Sequence, residues 1–109
     1  PNPYKTERDV LDDIDGTVCR ASHGNRDAIG KIAVLSSTML LDEAASVLGP
    51  FEGEAPDVLQ DFLLSLLEGQ SPFTPGQGRG IAWMCGVVRA MARKRRAERE
   101  RDWGIESDP

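Results

Sequence analysis

The chain has little of what most active sites are made from. Its 109 residues include one histidine and two cysteines, and aromatic side chains make up only 6%. A single histidine is too few for most metal centres and catalytic triads. Two cysteines are too few for a disulfide scaffold, and Cys19 and Cys85 lie far apart in the chain with no CxxC. The expectation is two reduced, partly buried thiols in a cytoplasmic protein, with one long-range disulfide as the alternative. No run of about 18 uncharged apolar residues exists, which argues against a membrane span and against a membrane partner. The opening Pro1-Asn2-Pro3-Tyr4-Lys5 lacks an apolar core, so no secretory leader is expected.

The apolar fraction is 39% and the charged fraction 28%, enough for one modest core. A chain of this length predicts a single helical domain over residues 1–103 and a short frayed tail over 104–109. Apolar residues recur at helical spacing throughout, and no strand alternation of useful length appears. Val10, Leu11, Ile14, Val18 and Ala21 mark one face of a first helix over 6–21. Thr6 stands as its cap and Asp9 three residues on, in the capping-box position. A second helix over 26–48 starts at Asn25, a good N-cap, and stops at Gly49-Pro50. Val34, Leu35 and Leu41 widen its apolar stripe, which predicts burial on more than one side, and Ser36-Ser37-Thr38 marks a candidate bend. Residues 51–55 read as a short connection. Pro56 opens a third helix whose stripe is Val58, Leu59, Phe62, Leu63, Leu66 and Leu67, and Gly69 stops it. Residues 70–80 hold two prolines and three glycines and read as a loop. The last helix runs over 81–103. Its front half is apolar nearly all round, and its back half is almost entirely charged. Phe51 and Phe73 are expected to plug the ends of the core. The fold class is therefore all-α: a compact antiparallel four-helix bundle with a long C-terminal helix ending in a basic segment.

Charge is segregated along the chain. Residues 1–78 carry net −8, residues 79–101 carry net +6 and residues 102–109 carry net −3, for a total of −5. An acidic body thus bears one basic helix end. Three readings of that end compete. It is a solvated helix terminus, favoured by the macrodipole. It contacts phosphates, in which case binding must fall steeply with salt. Or it meets an acidic patch on a protein partner, where charge steers association. The candidate contact residues are Arg89, Arg93, Lys94, Arg95, Arg96, Arg99 and Arg101, with Trp103 as an anchor just beyond them.

Other constellations carry less. Gly76-Gln77-Gly78-Arg79-Gly80 precedes a helix, where phosphates bind, but it follows no strand and lacks the Lys-Ser/Thr pair of a P-loop. It reads as a flexible linker. Asp9, Asp12, Asp13 and Asp15 do not have calcium-loop spacing and read as a solvated helix face. Cys19 and His23 stand one helical turn apart, with no orienting acid evident. Residues 41–49 resemble the opening of a helix-turn-helix unit. The connection Pro50-Phe51-Glu52-Gly53-Glu54 is longer than the usual turn, however, and the following helix is acidic and apolar, so no family is assigned.

These features predict a non-enzymatic helical interaction protein (accessory, adaptor or inhibitor) that docks on a protein partner through its basic end. A nucleic-acid-associated protein using the same cations is the alternative. No cofactor and no metal are expected. Self-association through the second helix is compatible with either reading.

Overall fold

Thr6 sets the start of the fold. Its hydroxyl accepts the Asp9 N–H at 3.1 Å, and its own N–H donates to the Asp9 carboxylate at 3.2 Å, which completes the expected capping box. The structure, a computed structural model, describes residues 6–104, so the tail expected beyond residue 104 lies outside the described residues. All regular structure among them is helical. α1 is Glu7–Ser22, α2 is Arg26–Leu48, a 3-10 stretch covers Gly49–Glu54, α3 is Ala55–Leu67 and α4 is Gly80–Asp102.

The helix count differs from the expected four. α-Helix and 3-10 helix follow one another from Arg26 to Leu67 with a kink at Gly49–Phe51, so the fold has three helical runs, and the connection expected over 51–55 is not a loop. The cause lies at Gly49-Pro50. Gly49 takes φ +58°, which ends the α-helical ladder without a Cβ penalty. Pro50 then fits the first turn of a new helical stretch, where its missing N–H is no loss. Phe51, at φ −103° and ψ 25°, carries the kink. The sequence signals mark a real break in direction, but the chain resumes its helix at once.

α2 is the central element and touches α1, α3, α4 and the 3-10 stretch. Phe62, Phe73, Leu40, Leu48, Met84 and Val88 are fully buried where these elements meet. Each such side chain contributes roughly 1.5–3 kcal/mol on leaving water. Phe73 plugs the core from the long loop as expected. Its N–H donates to the Ser22 hydroxyl at 2.7 Å, and the Ser22 hydroxyl donates to the Cys19 carbonyl at 2.8 Å. This latch pins the α3–α4 loop to the end of α1. Phe51 is only half-buried, packed against the core edge.

α2 also departs from expectation in its exposure. It stays α-helical through Ser36-Ser37-Thr38, where the Ser37 hydroxyl folds back onto the Ala33 carbonyl. Val34 and Leu35 are also not buried on a second side: they are 82% and 79% exposed. The run also contains an 18-residue window of mean hydropathy 1.4 with no more than two charged residues. By length and composition it suffices to cross a membrane, which corrects the expectation drawn from uncharged runs alone. In this fold the same helix gives Ala28, Ile32, Leu40, Ala44 and Leu48 to the core.

Candidate functional site

The basic end is built where the C-terminal half of α4 crosses the 3-10 stretch and the start of α3. Arg99 Nε lies 2.8 and 2.7 Å from the two carboxylate oxygens of Glu54. Arg95 reaches the same Glu54 at 3.2 Å and Asp61 at 2.8 Å, with Asp57 at 3.9 Å. Arg99 also pairs with Asp102 at 3.1 Å, and Arg96 with Glu100 at 3.3 Å. About two turns earlier in α4, Arg89 pairs with Glu43 at 3.0 Å. Four of the seven candidate cations are thus neutralised by carboxylates of the same chain.

The electrostatics follow from this geometry. The Arg99 hydrogen bond holds the Glu54 carboxyl below its usual range, burial opposes the shift, and Arg95 adds to it. Burial works against the Arg95 charge, but its hydrogen bonds to Glu54 and Asp61 outweigh that and raise its pKa. Arg99 is raised mainly by its hydrogen bond to Glu54.

Arg93, Lys94 and Arg101 are exposed, and no ion pair holds any of them among the described residues. Lys94 and Arg101 are seven residues apart and share one face of α4. Trp103 caps the end of the helix. It is 71% exposed, and its ring meets Phe51 edge-on at 5.8 Å between centroids. The eight residues singled out in sequence therefore separate into a bound set (Arg89, Arg95, Arg96, Arg99) and a free set (Arg93, Lys94, Arg101, Trp103). The residues that sequence reasoning missed are the carboxylates Glu43, Glu54, Asp57 and Asp61. Asp57 and Asp61 stand one helical turn apart at the start of α3, a spacing that could have suggested a receiving surface for arginines.

The remaining constellations take structural roles. Asp15, only 8% exposed, accepts the Gly80 N–H at 2.7 Å and the Arg79 guanidinium at 2.9 Å. Arg79 also reaches Asp12 at 2.9 Å. The acidic cluster is thus not wholly a solvated face, and the helix terminus where a phosphate would sit is capped by a carboxylate. The linker before α4 is correspondingly anchored at both ends. His23 Nδ1 donates to the Cys19 carbonyl at 2.7 Å. That proton keeps Nδ1 from serving as a base toward the Cys19 sulfur, 4.0 Å away. Both cysteines are free thiols, and burial, aided by the Glu43 charge, pushes the Cys85 thiol up. Among the described residues, no group of three or more His, Cys, Asp or Glu side chains is placed to hold a metal.

Compared with protein-family models, with curated proteins and with solved structures, the chain finds no match.

Proposed function

We propose that this is a non-enzymatic helical interaction protein that docks on an acidic protein surface through the free part of its basic end. The observation that carries the reading is Trp103. A tryptophan 71% exposed at a helix end, supported from one side by Phe51 and accompanied by Arg101, Lys94 and Arg93, which no ion pair holds among the described residues, has the composition of an interface anchor. The bound set gives the free set a fixed platform. Arg95 and Arg99 tie α4 to the 3-10 stretch and α3, so docking there would cost little ordering of the helix.

A protein partner is favoured over a nucleic acid by charge. The ion pairs leave three cations for phosphates, Glu98, Glu100 and Asp102 interrupt the same segment, and the chain as a whole is net −5. Three phosphate contacts give only weak, sequence-independent binding.

The separating experiment is a fluorescence titration of a DNA duplex, an RNA duplex and single strands at about 50 and 200 mM salt. The expected result is no binding, or weak binding equal in the wild type and in a variant with Arg93, Lys94 and Arg101 changed to alanine. Tight, salt-steep binding lost in that variant would replace the protein-docking reading with the phosphate one.

A further inference from the structure

The outward face of α2 carries Lys31, Val34, Leu35, Thr38 and Asp42. Positions 31, 35, 38 and 42 follow the i, i+4, i+7, i+11 rule and form one stripe, with Val34 beside it. Val34 and Leu35 are the two most exposed large apolar residues described, at the middle of a 23-residue helix. Beside Leu35 lies a groove of about 350 Å³ between α1 and α2, lined by Val10, Ile14, Ile32, Leu35 and Met39, with Ile81 at its side. Lys31 stands at one end of the stripe and Asp42 at the other, and neither has an ion-pair partner among the described residues.

From this we infer that α2 is a self-association surface, on which a second copy of the chain packs its own α2 antiparallel about a two-fold axis near Ser36. The argument for a second copy is that the stripe is complementary to itself when reversed. Turning it end for end sets Val34 against the partner's Thr38 and brings Lys31 to the end where the partner's Asp42 lies. The same residues then meet from both copies, as an isologous interface requires. The middle of the stripe is suited to close approach. Ser36, Ser37 and Thr38 are small. The inference does not depend on the basic end. In such a dimer the two basic ends, each near the C-terminal end of its α2, would stand at opposite extremes of the assembly.

The test is sedimentation velocity of the full chain from about 1 to about 300 µM, with circular dichroism of each variant to confirm folding. The wild type is expected to reach twice the 11.9 kDa chain mass within that range. Val34→Glu and Leu35→Glu, each at an exposed site, are expected to raise the dissociation constant by at least about a hundredfold while keeping helicity. Lys31→Glu alone and Asp42→Lys alone place like charges together and weaken the dimer, and the double variant Lys31→Glu/Asp42→Lys recovers it. That recovery reads out the antiparallel register. A monomer throughout the range overturns the inference, as does a dimer indifferent to Val34 and Leu35. So does a monomer that floats with neutral phosphatidylcholine vesicles through the same two residues, which would make lipid the occupant of this face.

Discussion

Arg96 on α4 donates from Nη1 to the carbonyl oxygen of Val47, 3.2 Å away in the last turn of α2. α2 has no basic residue of its own in that turn, and Pro50 has no N–H to offer its final carbonyls. The cation that complements this negative helix end therefore comes from another helix. Replacing Arg96 by methionine, which keeps much of the apolar stem, is expected to cost about 1 kcal/mol. Urea unfolding should show a lower midpoint at unchanged slope, with Arg96→Lys recovering part of the loss. An unchanged midpoint would mean that the contact is incidental.

Asp15 performs the corresponding task at the start of α4. Asp15→Ala strands the Gly80 N–H and removes a carboxylate from Arg79, and is expected to cost about 1–3 kcal/mol. Gly80→Ala acts at the same junction by a different route. Its Cβ would stand 2.9 Å from two carbons of Val18, so about 1–3 kcal/mol of overpacking is expected. Because the two sites share one contact, the double variant should lose less than the sum of the singles, as a double-mutant cycle will show.

The Glu54 hub gives a pH signature. Its carboxyl is held below the usual range in the folded protein, so ionised Glu54 favours folding. That contribution is complete above the unfolded-state carboxylate pKa, near 4.3, and is lost as pH falls through the lowered folded value. Thermal melts of Glu54→Gln should lie below wild type at pH 7, and the gap should close as pH falls through the lowered folded-state value. A constant gap between them across that range would contradict the assignment.

Much of this fold is legible in the sequence where a signal and its partner are close together. Thr6 with Asp9, Asn25 before α2 and the Val58–Leu66 stripe are all local, and each takes its expected role. Gly49-Pro50 was legible as a break but not as a kink, because the same residues that stop one helix are allowed in the first turn of the next. Val34 and Leu35 look like core by residue type, yet apolar character does not dictate burial. The basic end shows the limit most clearly. Arg95 and Arg99 stand as cations without Glu54 or Asp61 beside them in the linear chain, and those carboxylates arrive from 34 to 45 residues away only when the 3-10 stretch and α3 fold beside α4. Charge counted along a sequence records supply, whereas the fold determines how much of it is left over.

What is left over is Arg93, Lys94, Arg101 and Trp103, and their role is the centre of the account. The direct measurement is site-specific photo-crosslinking in the native cell from a photoreactive residue at position 103, with position 60 on the exposed side of α3 as control. The expected result is a discrete protein adduct from position 103 alone, abolished when Arg93, Lys94 and Arg101 are changed to glutamate in a chain that remains helical. No adduct from position 103, or one that survives the charge reversal, would contradict docking through the basic end.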